Sequence, residues 1–441
     1  MTQSSATGNE PGTVGGTRSL VHHHDFRSLW VGDSISQLGT QLTQLALPVL
    51  AVQVLAAGPQ QMGLLTAAET LAFLVVGLPA GAWVDRWRTK RVLITGDLVR
   101  AGVFVSVPLA WWAGVLTLGQ LYAVALVGGI ATVFFDVGYQ SYLPEIVDGP
   151  QVVEGNAKLQ ATQSVAQVAG PAVGGLLLRV LSAPVLLAVD AVSFLLSALF
   201  VGRIRLPSLP APRQGRRPLR VEIAEGLGFV VRHPLLPRIV ACTSLSNLFQ
   251  SMSGALFVLY LLRDLHQPTS SVGLLFSVAA VGGLLGALVT GRITRWLGEG
   301  RTIPVSALLC GPALALTPLA GTLADVVPPL LLLMVSGLIQ WVAVVVYNIT
   351  QVSFRQRVCP PALLGRMNAS VRFLVWGTQP IGALVGGLLG ARIGILPTLW
   401  LAAAGVSLAA LPVLFSPLSR MRDLPARPEV TDPVEGGPRQ G

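Results

Sequence analysis

The sequence predicts an all-α membrane protein in which twelve transmembrane helices form two six-helix pseudo-repeats. Three observations carry that reading. The composition is 52% hydrophobic and 11% charged over 441 residues, with a positive mean hydropathy, which leaves too little polar surface to coat a soluble core. Apolar runs long enough to cross a bilayer recur along the chain, separated by polar connections. The chain also repeats itself. Ser34-Ile35-Ser36-Gln37-Leu38 returns as Ser244-Leu245-Ser246-Asn247-Leu248, an offset of 210, and Asn156-Ala157 with Gly174-Gly175-Leu176-Leu177 returns as Asn368-Ala369 with Gly386-Gly387-Leu388-Leu389, an offset of 212.

Residues 1–24, rich in Gly, Ser and Thr and ending in His22-His23-His24, read as a disordered cytoplasmic tail without a cleavable signal. A flexible tail offers these histidines no preformed geometry, so no metal site is expected. The first half, 25–205, holds spans at 28–55, 62–84, 91–115, 119–142, 157–180 and 184–203. A linker, 206–237, opens with prolines and Arg213, Arg216, Arg217 and Arg220. Its later part, Val221–Val231, alternates acidic and apolar residues at helical spacing and predicts a helix along the cytoplasmic face. The second half, 238–416, holds spans at 238–262, 271–293, 302–323, 327–353, 363–390 and 395–416, and a second disordered tail follows at 417–441. Many spans contain Pro or Gly, which membrane helices tolerate when neighbours cover the freed backbone groups.

Charge sets the orientation. Of the 30 Lys and Arg, Arg179, Arg263 and Arg392 lie near outer ends and Arg100 and Arg372 within spans; the rest fall in the tails and the loops on one side. An excess of cations marks that side as cytoplasmic and places both termini there, in a multi-pass protein of the cell membrane. Basic loops beside spans need no nucleic acid to explain them, because no cationic face interleaved with stacking aromatics is present. The cysteines, Cys242, Cys310 and Cys359, are scattered without metal-ligand spacing. Two tandem halves in the same orientation follow the parallel-repeat plan of a transporter, with a binding site between the halves near the bilayer midplane.

Ionisable groups in a bilayer cost roughly 3 kcal/mol each, so each calls for a function. Asp33 and Asp136 have no cation within a helical turn, which suits them to take up and release a coupling proton; Glu69 and Asp190 are further candidates. Asp97 and Arg100, three apart on one helix, read as an intramembrane ion pair. Polar stripes at helical spacing are expected to line a wet cavity: Gln37, Gln41 and Gln44 in the first span, Gln140 in the fourth and Gln163 and Gln167 in the fifth. The second half contributes Asn247 in the seventh span, Gln340, Asn348 and Gln351 in the tenth, and Arg372 and Trp376 in the eleventh. The alternative is that such side chains bond neighbouring helices.

The turn Gly81–Arg91, GAWVDRWRTKR, and its counterpart at Gly291, Arg295 and Arg301 carry a resemblance. Gly81, Asp85, Arg86, Lys90 and Arg91 match the Gly-x-x-x-Asp-Arg loop of the major facilitator superfamily, with Arg88 in place of a frequent glycine. Gly170-Pro171-Ala172-Val173-Gly174-Gly175 is similar to the glycine-proline signature of that family's antiporters. Tyr142-Leu143-Pro144-Glu145-Ile146-Val147 with Gly155-Asn156-Ala157 resembles the bacterial branch that includes enterobactin and macrolide exporters. The arginine that many drug antiporters carry in span four is absent. The resemblance implies a gate in which Asp85 meets the start of span eleven near Arg366, while Arg86, Lys90 and Arg91 reach acidic groups such as Glu145.

Together these readings predict a secondary active exporter of small lipophilic compounds, whether drug, antibiotic or siderophore. It works by proton antiport with alternating access, as a monomer that needs no cofactor beyond the proton gradient. An importer or facilitator of a small metabolite is the main alternative. An intramembrane enzyme is remote, because no metal-binding His-Glu-x-x-His pair, nucleophile elbow or phosphate loop occurs. A channel fits two tandem halves less well than a rocking machine.

Overall fold

The computed structural model describes residues 20, 23–84, 87–147, 149–205 and 219–422. Most of the two tails expected at 1–24 and 417–441, the proline- and arginine-rich start of the linker, and Asp85 and Arg86 lie outside these residues. Among the described residues there is no strand. The helices are α1 (His24–Gln53), α2 (Pro59–Val84), α3 (Thr89–Trp112), α4 (Leu118–Ile146), α5 (Gly149–Leu177), α6 (Ala183–Gly202), α7 (Leu219–Arg232), α8 (Leu236–Leu259), α9 (Thr269–Leu297), α10 (Glu299–Thr322), α11 (Pro329–Val358), α12 (Pro361–Trp376), α13 (Thr378–Ile393), α14 (Ile395–Ala409) and α15 (Leu411–Leu414). A π-helical turn, Tyr260–Asp264, prolongs α8.

Nine runs among the described residues are long and apolar enough to cross a membrane: α3, α4, α6, α8 with its π turn, α9, α10, α11, α12 with α13, and α14 with α15. The other three positions where spans are expected are filled by α1, α2 and α5, which are 30, 26 and 29 residues long. At ~1.5 Å per residue each has the length to cross. Their punctuation follows local chemistry. Thr117 caps α4 by accepting from the Gln120 N–H at 3.3 Å, and proline opens α6, α8, α11 and α12, where a missing N–H costs nothing. Gly298 and Gly394, with φ of 85° and 94°, make the tight joints α9–α10 and α13–α14 in a region of backbone space that favours glycine.

The two sets of helices pair alike. In the first, α1 packs on α5 and α6, α2 on α4, and α3 on α4 and α6; in the second, α8 packs on α13 and α14, α9 on α11, and α10 on α11 and α14. The sets join through α2 with α13 and α5 with α9, again one contact made twice. Strict alternation puts the α2–α3, α4–α5, α9–α10 and α11–α12 joints at the end of the bundle where α7 lies, here called the linker end, and the α1–α2, α3–α4, α5–α6, α8–α9, α10–α11 and α13–α14 joints at the far end. The far end is where the halves meet. Gly63 of α2 lies against Gly387 of α13, and Gly175 of α5 against Gly273 of α9. The pairs are related by the offsets of the sequence repeat, 210 for Gly63 and Gly273 and 212 for Gly175 and Gly387.

Two details depart from the sequence reading. Residues 417–422, given to the tail, fold back onto α10: Leu418 is fully buried and the Gly300 N–H donates to the Arg422 carbonyl at 3.2 Å. The span expected to run unbroken over 363–390 is two helices that part at Gly377, because Pro380 supplies no N–H to continue the ladder.

Candidate functional site

In the first half, acidic side chains from four helices gather around one guanidinium. Arg100 of α3 is 3% exposed, pairs with fully buried Asp97, and lies between the rings of Phe135 and Phe194, 4.2 and 4.3 Å from their centres. A desolvated cation over a π face gains up to about 2 kcal/mol, so the rings share with Asp97 the burden of holding this charge in the membrane. Pairing is incomplete, because Asp97 Oδ2 and Arg100 Nε have no hydrogen-bond partner among the described residues. Asp33 of α1, Asp136 of α4 and Asp190 of α6 all stand within electrostatic reach of Arg100. Asp190 is fully buried and accepts from Thr43 at 2.5 Å and Ser193 at 2.8 Å. Asp33 is also buried, touched by Gln37 at 3.4 Å and flanked by the Tyr139 hydroxyl; Asp136 is half-buried. Asp97–Arg100 is therefore the middle of a cluster rather than an isolated pair.

Glu69 stands apart. It sits ten residues into α2, near mid-membrane by length, half-buried and without a hydrogen bond or ion pair among the described residues.

Between the halves lies a cavity of about 780 Å³, walled by α1 and α5 on one side and α9 and α11 on the other. Gln41, Gln44, Ser164 and Gln167 supply its polar groups, and Phe276, Trp341, Leu284 and Val345 its apolar wall. Among the described residues, no ionisable side chain lines it. The glycine-proline signature explains its shape. A Cβ on Gly170 would lie 2.5 Å from Gln41 Cβ and one on Gly174 3.2 Å from Leu42, so α5 packs hard on α1 while Pro171 borders the cavity.

Other residues expected in the cavity wall have different partners. Asn247 donates to the Val375 carbonyl at 3.1 Å, Ser251 to the Gln379 carbonyl at 2.7 Å, and Thr378 to the Ser244 carbonyl at 3.0 Å. These bonds stitch α8 to the break at Gly377, and the first of them reaches a carbonyl in the last turn of α12, where the interrupted ladder leaves acceptors open. Gln37 serves Asp33, and Gln163 accepts from Gln160 at 3.3 Å. Gln351 reaches Asn348 at 3.5 Å, and Gln340 is buried with neither amide atom bonded to a described residue. Arg372 covers Trp376, its guanidinium carbon 5.3 Å from the ring centre, and Trp376 packs on Phe73 across the halves at 4.8 Å. The side chain of Gln140 lies outside the described residues.

At the linker end the basic turn is engaged within its own half. Thr89 donates to Glu145 at 2.9 Å, while Lys90 donates to the carbonyls of Gly202 and Ile204 at 3.0 and 2.6 Å. Lys90 therefore binds the end of α6 and not Glu145 as the sequence reading expects, since unfulfilled C-terminal carbonyls attract a cation. Arg366 pairs with Glu225 of the linker helix α7. Asp85 and Arg86 lie outside the described residues, as does the side-chain environment of Gly81. Sequence spacing gave no signal for Tyr139, Phe135, Phe194, Thr43 or Glu225, which meet their partners only through packing of different helices. Among the described residues no group of three or more His, Cys, Asp or Glu could hold a metal ion.

The family model described as Major Facilitator Superfamily matches residues 29–377 and, overlapping, 239–438. The chain belongs to the major facilitator superfamily. Members similar to it include the multidrug efflux pump Tap of Mycolicibacterium fortuitum, 28% identical over 82% of this chain and 88% of that protein. Macrolide efflux protein A of Streptococcus pyogenes is 22% identical over 90% and 97%, and the enterobactin exporter EntS of Escherichia coli O1:K1 / APEC is 27% identical over 93% and 96%. Among solved structures, a bacterial homologue of the iron transporter ferroportin in the inward-facing state superposes with a TM-score of 0.71 at 16% identity, covering 92% of this chain and all of that one. The nucleoside transporter NupG gives 0.67 at 16% identity, over 88% and 98%. These likenesses fix the superfamily fold for the chain.

Proposed function

We propose that this major facilitator protein exports small lipophilic compounds by proton antiport with alternating access. The observation that carries the reading is the 780 Å³ cavity between the halves, lined by amides and aromatic or aliphatic side chains without an ionisable group. Amides and rings accept varied ligands, and the cavity size suits a drug-sized molecule. The efflux function in the names of the similar proteins supports outward transport. The linker end is assigned to the cytoplasm from the basic loops, so both termini are cytoplasmic and the far-end glycine contacts close the outer face. The halves then rock around the cavity as a monomer.

The coupling proton is assigned to Asp33 or Asp136, which flank Arg100 without a direct ion pair, with Glu69 and Asp190 as further candidates. The gate is assigned to Gly81, Asp85, Arg86 and Arg91, with Arg366 opposite Asp85, while Lys90 holds the turn to the end of α6 and Glu145 holds it through Thr89. An importer or facilitator of the same fold is the rival reading.

Inverted membrane vesicles loaded across a panel of dyes, antibiotics and siderophores test both direction and cargo. Concentrative uptake driven by an imposed proton gradient is expected. Equilibration without accumulation for every compound, with the protein inserted, overturns active export.

A further inference from the structure

A second cavity, about 590 Å³, lies away from the space between the halves, in the angle between α3 and α4. The two helices touch at Gly96, where a Cβ would lie 3.4 Å from the Ala131 carbonyl oxygen, and the groove runs along that contact. Its walls are apolar, with Val99 and Val127 each 38% exposed, which on a membrane protein means contact with lipid chains. Its mouth is at the linker end. Trp87 stands there, 52% exposed and 5.8 Å from the ring of Phe134, on which Trp83 also stacks at 6.0 Å. Arg88 and Arg91 complete the mouth, and neither guanidinium has a hydrogen bond or ion pair among the described residues. Arg88 precedes the first turn of α3 and gives it no side-chain cap, so the positive end of the helix faces the same point.

We propose that this groove is a binding site for one anionic phospholipid, its phosphate held by Arg88 and Arg91 at the membrane surface and an acyl chain lying between α3 and α4. Three features select this occupant. The groove descends from Arg91 to Val99, eight residues or ~12 Å, which matches the upper part of an acyl chain in the leaflet. Tryptophans at its mouth sit where indole rings favour the headgroup region. The two cations have no counter-ion among the described residues, whereas Lys90 between them is spent on α6, so the turn divides its charges between an internal tie and an external anion. The site goes beyond export and rests on that reading only for the leaflet it faces.

The test uses the full chain in nanodiscs with the same lipids in both leaflets, so the outcome is independent of orientation. Brominated phosphatidylglycerol or brominated phosphatidylcholine is added, and quenching of Trp87 is taken as the difference between wild type and Trp87→Phe. Preferential quenching by the anionic lipid is expected. Arg88→Gln and Arg91→Gln should each reduce that preference by about five-fold, the effect of one cation near an anionic surface. Val127→Phe keeps both arginines and adds no indole but fills the groove, and should abolish the preference as well. Equal quenching by the two lipids in wild type overturns the site. A preference that survives Val127→Phe also overturns it, because the arginines would then only gather anionic lipid at the surface.

Discussion

Gly63 of α2 and Gly387 of α13 touch backbone to backbone: a Cβ on Gly63 would lie 2.7 Å from Gly387 Cα and 2.6 Å from the Ala383 carbonyl oxygen. The repeat-related pair is as close, with a Cβ on Gly175 2.9 Å from Gly273 Cα. Gly63→Val or Gly175→Val should wedge the far end open. Overpacking of this kind costs about 1–3 kcal/mol, enough to shift a balanced two-state equilibrium by roughly one to two powers of ten. Cysteine accessibility from each side of the membrane should show the shift away from far-end closure, with transport falling by a similar factor and insertion unchanged. Wild-type accessibility in both variants would show that the contact yields without consequence.

The acidic cluster makes a second prediction. Asp33→Asn or Asp136→Asn should abolish gradient-driven accumulation yet leave cargo binding and exchange largely intact, because neither residue lines the cavity. Concentrative transport and exchange measured in the same proteoliposomes separate the two effects. Normal accumulation by both single variants and the double variant removes these residues from coupling, and Glu69 and Asp190 follow.

Arg100 is the most exacting side chain to lose a partner. Asp97→Ala leaves a guanidinium in the membrane interior without its ion pair, with two ring faces and the more distant Asp33, Asp136 and Asp190 around it, a loss of about 3–5 kcal/mol. Thermal unfolding in detergent should report a large drop for Asp97→Ala. Arg100→Met with Asp97→Leu, which removes both charges, should recover much of it. A double replacement as unstable as Asp97→Ala would mean that the pair is retained for more than charge balance.

Glu225 offers a fourth test. Its carboxylate pairs with Arg366 in this structure, and the gate proposal gives Arg366 a second acidic partner in Asp85. Glu225→Gln should release Arg366 toward Asp85 and favour closure at the linker end. Cysteines placed near that end should become less accessible, by several-fold, and Asp85→Asn should cancel the change. An effect of Glu225→Gln that persists with Asp85→Asn would break the link between linker helix and gate.

Much of this architecture was legible because membrane helices announce themselves by length and apolarity. The linker helix predicted over 221–231 is α7, Leu219–Arg232, and the offsets 210 and 212 reappear as the spacing of the far-end glycines. Periodicity was a weaker guide to side-chain roles. It puts Ser244, Asn247 and Ser251 on one face but cannot tell a wet wall from a helix seam, and the break at Gly377 makes that face a seam. Arg100 draws Phe135 and Phe194 from helices 35 and 94 residues away, a contact that no local pattern encodes. Three lining glutamines, Gln41, Gln44 and Gln167, do meet at one cavity, since α1 and α5 are pressed together by small residues that are visible in the sequence.

The acidic residues within the spans of the first half have no charged equivalents in the second. At the repeat offset of 210, Asp33, Asp97 and Arg100 correspond to Thr243, Ala307 and Cys310, while Asp190 at 212 corresponds to Ala402. In the proposed antiport, proton and cargo do not compete for one carboxylate, because no described residue that lines the cavity is ionisable, so their exchange is coupled through the movement of helices. Stoichiometry is then fixed by the protein and not by the passenger. A neutral compound exported for one proton would carry net current, whereas a monovalent cation exported on the same cycle would carry none, so the electrical signature of transport belongs to the cargo.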